Sequence, residues 1–151
     1  MVAKKPCAAA FAELQAYGQP MSRTTGSLLL EADTRIARAA VNNLLQAPLD
    51  DAQFGALVSF TFNVGIGAFS RSRLLRLVNN GEFEGAEREF MRWVKSNGRV
   101  LDGLVTRRSC ESAMFRGDVN ISSPRFRRQD CGQLGAAPDA EELLDIRTGR
   151  P

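Results

Sequence analysis

Phe60-Thr-Phe-Asn-Val-Gly-Ile-Gly-Ala-Phe69 joins the end of a strongly apolar helical pattern to two closely spaced glycines, after which a basic helical pattern begins. We call this stretch the glycine corner. Asn63 and the glycines allow a helix to end and the chain to turn, because these residues adopt left-handed backbone angles at low steric cost. We expect Val64, Ile66 and Phe69 to pack the corner against a core. Taken alone, the corner is also consistent with a helix end in any all-helical domain.

The composition bounds the class of protein. A chain of 151 residues with 44% hydrophobic content can bury one core and is typical of a single domain. Because the sequence has no histidine, histidine-based acid–base catalysis and most zinc or iron sites are excluded, and we expect no cofactor and no metal. Twenty basic and 17 acidic residues give a net charge of +3, which favours polyanionic partners such as nucleic acid or anionic cell-wall polymers.

The three cysteines and the N-terminal residues indicate the cellular compartment of the protein. Cys7, Cys110 and Cys131 lie far apart without Cys-x-x-Cys spacing, so we predict reduced thiols in a cytoplasm rather than a metal or redox motif. Two lysines precede a short apolar run that Glu13 interrupts, which is too short for a secretory signal or a membrane span. The sequence therefore predicts a cytoplasmic location and no membrane span.

Apolar periodicity predicts a mainly α fold. Ser27 can cap a helix that ends before Pro48, and its apolar residues fall near one face: Leu29, Ile36, Ala40, Val41 and Leu44. The spacing of Asp50 and Gln53 predicts a capping box for the central helix, whose buried face is predicted to carry Phe54, Leu57, Val58, Thr61 and Phe62.

Further helices follow the glycine corner. Ser70 can cap the first of these helices, whose leucines are predicted to face inward and whose arginines are predicted to be exposed. The second helix carries Phe83, Ala86, Phe90 and Trp93. After a turn at Ser96-Asn-Gly98, the last helix covers residues 104–115. Beyond these, residues 118–151 form a tail that can be flexible, and only residues 139–147 are predicted to form helical turns, with Leu143, Leu144 and Ile146 facing a partner surface. A small β element is predicted only near residues 14–27.

Five segments keep an order and spacing that is typical of one family. They are Leu49-Asp-Asp-Ala-Gln-Phe-Gly-Ala-Leu-Val-Ser-Phe-Thr-Phe-Asn-Val-Gly-Ile-Gly-Ala-Phe69, Ser72-Arg-Leu-Leu-Arg76, Asn80-Gly-Glu-Phe-Glu-Gly-Ala86, Phe90-Met-Arg-Trp93 and Gly103-Leu-Val-Thr-Arg-Arg108. Together they resemble the phage-type lysozymes, the endolysins of glycoside hydrolase family 24, over roughly residues 28–117. The resemblance implies a reduced or rearranged N-terminal catalytic-lobe remnant at residues 1–26, a lysozyme-like helical domain at residues 27–117 and the tail at residues 118–151.

The resemblance also implies an activity. Members of the family are muramidases that cut the glycan of bacterial peptidoglycan, with the chemistry in the small N-terminal lobe. They carry a glutamate acid at the end of the first helix, then a Tyr-x-Asp and a Thr-Ile-Gly-x-Gly-His element. Glycoside hydrolysis normally requires two carboxylates, one to protonate the leaving oxygen and one to stabilise the developing cation.

This chain departs from that pattern at the catalytic positions. Leu14-Gln-Ala-Tyr17 resembles the stretch that leads to the family tyrosine, but Gln19 stands where the aspartate is expected and Ala10 where the acid is expected. Glu13 is the nearest carboxylate, about one turn or ~4.5 Å further along a helix. The histidine and most of the hairpin are absent.

The resemblance implies four candidate site residues in the N-terminal part of the chain. Glu13 is the candidate catalytic acid and Thr25 a positioning hydroxyl in the catalytic group, while Tyr17 and Thr24 are candidate substrate-binding residues. Thr24-Thr-Gly26 resembles the Thr-x-Gly of the family element, although helix capping explains Thr25 equally well.

Three functions remain open from the sequence. The first is an endolysin-like muramidase, a monomer with peptidoglycan as its partner, that is made in the cytoplasm of the host bacterium and acts on the wall after release. The second is a catalytically inactive relative that binds glycan or another partner. The third is a basic helical domain that binds nucleic acid, motivated by arginines and lysine at 71, 73, 76, 88, 92, 95, 99, 107 and 108. Acidic residues are interleaved with these charges, so we expect no nucleic-acid partner.

Overall fold

The computed structural model describes residues 22–119, 131 and 142–151. The chain divides into two compact units, Met1–Arg35 and Ile36–Pro151. The fold is mainly α, as predicted. Its helices are α1 (Arg23–Leu44), α2 (Asp51–Val64), α3 (Ile66–Ser70), α4 (Arg73–Asn79), α5 (Phe83–Phe90) and α6 (Asp102–Arg116), with strands β1 (Lys95–Ser96) and β2 (Arg99–Val100) between α5 and α6.

Helix α1 begins earlier than the sequence predicts. The hydroxyl of Ser22 accepts a hydrogen bond from the backbone N–H of Thr25 at 3.1 Å, so Ser22 rather than Ser27 satisfies the first turn. The predicted β element is therefore wrong for residues 23–27, and its residues 14–21 lie outside the described part of the chain.

The inward face of α1 also differs from the prediction. Ala37 and Val41 are buried, whereas Leu29 and Ile36 are 37% and 66% exposed. Ala37 and Val41 are four residues apart and share a stripe, while Ile36 is rotated by about 100° from Ala37. The placement of Leu29 and Ile36 on the buried face is therefore wrong.

Helix α2 is the central element of the core. The predicted capping box is confirmed, because Asp50 Oδ1 accepts from the Gln53 N–H at 2.7 Å and Gln53 Oε1 accepts from the Asp50 N–H at 3.2 Å. Leu57 and Phe60 are fully buried. Phe62 is 50% exposed, so its predicted place in the core is wrong: it lies two residues, or about 200°, from Phe60.

The glycine corner is built on one left-handed residue. Gly65 has φ 88° and separates α2 from α3, whereas Gly67 lies within α3. Val64 and Phe69 are buried as predicted, but Ile66 is 39% exposed. The prediction that Ile66 fixes the corner to the core is wrong.

Aromatic rings connect the corner to the rest of the core. Phe60 makes edge-to-face contacts with Phe69, Phe90 and Trp93 at centroid distances of 6.3, 5.4 and 5.5 Å.

Helix α4 is capped by Ser72 rather than Ser70, because the Ser72 hydroxyl accepts a hydrogen bond from the Leu75 N–H at 3.1 Å. Its leucines at 74, 75 and 77 face inward and its arginines at 73 and 76 are exposed, as predicted.

A two-stranded hairpin follows α5. Strands β1 and β2 pair antiparallel across Asn97 and Gly98, whose φ values of 53° and 73° are those of a primed hairpin turn. The predicted turn at Ser96-Asn-Gly98 is confirmed. The prediction that a β element occurs only near residues 14–27 is wrong, because residues 95–96 and 99–100 pair on either side of this turn. Helix α6 extends the predicted 104–115 by a few residues and ends at left-handed Gly117.

Residues 142–151 pack on the hairpin without forming the predicted helical turns. Asp145 forms a parallel bridge with Lys95, and Leu143 is only 4% exposed beside Val94 and Leu104. The backbone of Leu144 and Ile146 bonds to β1 and its neighbours instead of bonding within a helix. The helical prediction is therefore wrong for residues 143–147, while the predicted burial of apolar side chains against a partner surface is confirmed.

A disulfide joins Cys110 of α6 to Cys131. The prediction of reduced thiols is wrong for these two cysteines, since the fold brings together residues that the sequence separates by 21 positions. Cys7 lies outside the described residues.

Candidate active site

Two of the four predicted site residues can be placed. Thr24 and Thr25 lie in the first turn of α1 and are exposed. The Thr25 hydroxyl is 2.8 Å from the Ser22 hydroxyl, so it takes part in the helix start. Glu13 and Tyr17 lie outside the described residues, and their assigned roles stay predictions.

A polar cluster that the sequence did not predict lies between α2 and α6. We define the arginine–glutamate cluster as Ser59, Asn63, Arg107, Arg108 and Glu111. The two helices pack along one another, and at this contact Arg108 and Glu111 are buried while the other three members are half-buried. Buried charges are stable only when they are paired and hydrogen-bonded, so the geometry of this cluster decides whether the helices can pack here.

Glu111 is the acceptor at the centre of the cluster. Its side chain is 3% exposed. Oε1 accepts hydrogen bonds from the Ser59 hydroxyl at 2.6 Å and from Arg107 Nε at 3.0 Å, and Oε2 accepts from Arg108. Three donors therefore hold this carboxylate, which leaves it placed for support and not for proton transfer.

Arg108 ties the glycine corner to α6. Its side chain is fully buried, with the guanidinium 4.8 Å from the centroid of the Phe60 ring. It donates to the carboxylate of Glu111 and to Oδ1 of Asn63. Its Nε–H has no hydrogen-bond partner within the described part of the chain. Asn63 thus does more than end a helix, because its amide fixes the corner against α6.

Arg107 is the charged member of the cluster that reaches the protein surface. Its side chain is 33% exposed, and Nη2 donates to the backbone carbonyl of Ser59 at 2.9 Å. The guanidinium is therefore oriented by two helices while part of it faces solvent. Beside Asn63, Phe62 and Ile66 expose apolar side chains on the same corner.

Burial perturbs the ionisation of the cluster. Burial lowers the pKa of Arg108 to about 10, and the nearby carboxylate of Glu111 opposes this shift. Burial raises the pKa of Glu111, against the opposing effect of Arg108, the Ser59 hydrogen bond and Arg107. A pKa near 10 leaves Arg108 protonated at neutral pH, so its positive charge persists inside the core.

The sequence contained a signal for this cluster. Arg107, Arg108 and Glu111 are spaced so that each arginine lies three or four residues from the glutamate on one helix. Such a triplet on a helix with many buried positions indicates an internal ion pair. The partner residues on α2 could not be read from this spacing.

The described residues lack two features that would point to other functions. They contain no group of three histidine, cysteine, aspartate or glutamate side chains that could hold a metal ion. None of their helices has both the length and the apolar character needed to cross a membrane.

The chain is similar to proteins of one known family. The family model described as Phage lysozyme matches residues 7–111, which is more than half of the chain. The endolysin of Bacillus phage B103 is 42% identical over 97 residues, which cover 64% of this chain and 37% of that protein. The chain therefore spans little more than a third of the length of this relative.

Two solved structures agree with the family match. The muramidase domain of SpmX from Asticaccaulis excentricus is 40% identical, with a TM-score of 0.57 over 63% of this chain and 67% of that domain. The endolysin from Escherichia coli O157:H7 phage FAHEc1 is 29% identical, with a TM-score of 0.61 over 68% of this chain and 67% of that protein. On the extent of the family match, the chain belongs to the phage lysozyme family.

Proposed function

We propose that this chain is a muramidase that hydrolyses the glycan strands of bacterial peptidoglycan in cell-wall lysis. The observation that carries the proposal is the family match over residues 7–111, because it includes the candidate acid Glu13 together with the helical elements. The names of the relatives, endolysin and muramidase domain, support the same substrate class.

The proposed reaction assigns the acid role to Glu13. Its carboxyl donates a proton to the oxygen of the leaving sugar as the bond from that oxygen to the anomeric carbon breaks, and water attacks the anomeric carbon, on which positive charge develops. The proton that the attacking water loses returns to the Glu13 carboxylate, which restores the acid. Since Gln19 replaces the family aspartate, Thr24 and Thr25 are the residues that position the water or the sugar. Tyr17 contacts the substrate. No cofactor takes part.

The helical elements supply a rigid surface in this proposal. Arg108 fixes Asn63, so the exposed side chains of Phe62 and Ile66 are held on a rigid corner to which the apolar face of a sugar ring can bind. The exposed part of Arg107 attracts the acidic peptides that the glycan carries. We expect a monomer, because one glycan strand needs no second copy of this surface. We expect no nucleic-acid partner, because acidic residues are interleaved with the basic ones.

We place the action of the protein at the cell wall after its release from the cytoplasm in which it is made. The Cys110–Cys131 disulfide supports this placement, since such bonds persist mainly in oxidising compartments.

Replacement of the acid tests the activity. The unmodified chain should release muropeptides from purified sacculi and clear chloroform-treated Gram-negative cells. Glu13→Gln should reduce the release by about 10²-fold or more, because a positioned general acid contributes that much to the rate. Glu84→Gln, which changes an exposed glutamate on α5, is the matched control and should retain activity. Release by Glu13→Gln at the unmodified rate would refute the assignment of the acid.

A second candidate function is glycan binding without turnover. Gln19 in place of the aspartate, Ala10 at the expected acid position and the lack of histidine favour it. Under this alternative, the unmodified chain and Glu13→Gln should bind sacculi equally, and neither should release muropeptides. Any enzyme-like release by the unmodified chain would exclude it.

A further inference from the structure

The chain contains two Asn-Gly sequences, Asn80-Gly81 and Asn97-Gly98, and both lie in exposed turns. In such a pair the backbone nitrogen of the glycine can attack the side-chain Cγ of the asparagine, because the glycine has no β-carbon to obstruct it. The N–Cγ bond forms, the backbone nitrogen gives its proton to solvent, and the side-chain NH2 group takes a proton and leaves as ammonia. Water then opens the cyclic imide, which leaves aspartate or isoaspartate.

The turn at Asn97-Gly98 is restrained at both reacting groups. The Gly98 N–H donates to Asp145 Oδ2 at 2.8 Å, and Asn97 Oδ1 accepts from the Arg147 guanidinium at 2.6 Å. Attack requires the Gly98 nitrogen to lose its proton, and a carboxylate in contact with that nitrogen disfavours a second negative charge there. Asp145 is only 6% exposed, so its carboxylate is fixed by the surrounding structure. Both hydrogen bonds must therefore break before Asn97 can react.

The turn at Asn80-Gly81 is held less firmly. Asn80 follows the last residue of α4, and the Gly81 N–H donates to the carbonyl of Val78 at 3.0 Å. This bond joins two neutral groups at the end of a seven-residue helix, where hydrogen bonds open at low free energy. The bond from Gly98 to a carboxylate is charge-assisted, and such bonds are about twice as strong as neutral ones. The Gly81 nitrogen is therefore released more often than the Gly98 nitrogen.

We propose that Asn80 is a site of spontaneous deamidation in the folded chain. Asp145 and Arg147 protect Asn97 from the same reaction. The Asn80 side chain now donates from Nδ2 to Glu82 Oε1 at 3.1 Å. Deamidation places a carboxylate at this position, so an attractive contact becomes repulsion between two like charges. The new charge also lies at the carboxyl end of α4, where the helix dipole disfavours anions.

The reaction takes place beside a contact between two helices. The side chain of Asn79, the residue before Asn80, donates to the carbonyl of Leu44 at 3.0 Å and accepts from the N–H of Gln46 at 2.9 Å. These bonds join the end of α4 to the end of α1. Isoaspartate at position 80 adds one carbon to the backbone directly after this contact, and deamidation therefore lowers the stability of the folded chain.

The first experiment incubates the full chain at mildly alkaline pH and follows deamidation by mass spectrometry. Trypsin cleaves after lysine and arginine, so Asn80 falls in the peptide 77–88 and Asn97 in the peptide 96–99. Asn80 should react about tenfold faster than Asn97, because one hydrogen bond to a charged group contributes about that factor. In urea, which removes the tertiary restraints, the two rates should become similar. Equal rates in the folded chain, or a faster reaction at Asn97, would overturn the proposal.

Two arginines of the same segment provide the matched pair of variants. Arg147→Ala removes the donor to Asn97 and should raise its rate several-fold without changing the rate at Asn80. Arg150→Ala removes another exposed arginine and should change neither rate. If Arg147→Ala loses helical circular dichroism, Arg147→Gln replaces it. An unchanged rate at Asn97 would refute its protection by Arg147.

A second experiment measures the consequence. Asn80→Asp introduces the charge of the product, whereas Asn80→Ser removes the amide without adding a charge. The midpoint of thermal unfolding should be lower for Asn80→Asp than for Asn80→Ser, and the difference should shrink at high salt because Glu82 is exposed. Equal midpoints would overturn the predicted loss of stability. None of these readouts depends on hydrolysis of a glycan.

Discussion

Glu111 shows at the scale of one residue how a charge is kept inside this core. It is the anionic partner of Arg108, which is fully buried and keeps its proton at neutral pH. Replacing it by alanine leaves a buried guanidinium without a counterion, and breaking such pairs costs about 3–5 kcal/mol. We therefore expect Glu111→Ala to lower the free energy of unfolding by about that amount in urea titrations.

A surface glutamate provides the comparison. Glu84→Ala on α5 should change the free energy of unfolding by less than about 1 kcal/mol, because an exposed carboxylate in the first turn of a helix contributes only through the helix dipole. A Glu111→Ala chain as stable as this control would mean that water or rearrangement satisfies Arg108.

At the scale of elements, the pairing of residues 142–151 with β1 should depend on pH. Backbone hydrogen bonds from Gly98 and Arg147, and the charge of Arg147, lower the pKa of Asp145. The stabilisation is fully present above about pH 3.9, which is the ordinary pKa of a solvated aspartate. It is lost as pH falls through the lower pKa that Asp145 has when residues 142–151 are packed on β1. Because Gly149 of this segment lies against the buried indole of Trp93, quenching of Trp93 fluorescence by acrylamide should rise below about pH 4.

The acid transition has its own control. Asp145→Ala should show raised quenching at neutral pH and no further step in that range, provided that circular dichroism shows the helices intact. A step of equal size in Asp145→Ala would assign the titration to another carboxyl group.

At the scale of the whole molecule, the Cys110–Cys131 disulfide closes a loop across 21 positions. Cross-links of this length stabilise proteins by about 3 kcal/mol in the chain-entropy model, because they restrict the unfolded chain. Cys110→Ser should lower the free energy of unfolding by about that amount. Dithiothreitol should destabilise the unmodified chain similarly and leave Cys110→Ser unaffected. Equal stability of oxidised and reduced chains would show that the bond does not restrict the unfolded state.

Local features of the fold could be predicted because neighbouring residues create them. Asp50 and Gln53 cap α2 through atoms three residues apart, and the turn at Ser96-Asn-Gly98 needs only its own backbone preferences. Where several serines could serve as a cap, the prediction chose wrongly: Ser22 and Ser72 are used in place of Ser27 and Ser70. The choice depends on where the whole helix packs.

Residue order and spacing were enough to identify the family and the mainly α class, because both depend on local pattern, whereas the assignment of Glu13 as the acid stays a prediction. The bond from Arg108 to Asn63 and the Cys110–Cys131 disulfide became visible only in the folded chain, because they join residues 45 and 21 positions apart. It also placed Ile66 and Phe62 at the surface and Leu143 in the core. Such contacts form only when helices and strands have packed, and the free energy of burial that selects them is shared among residues distant in sequence.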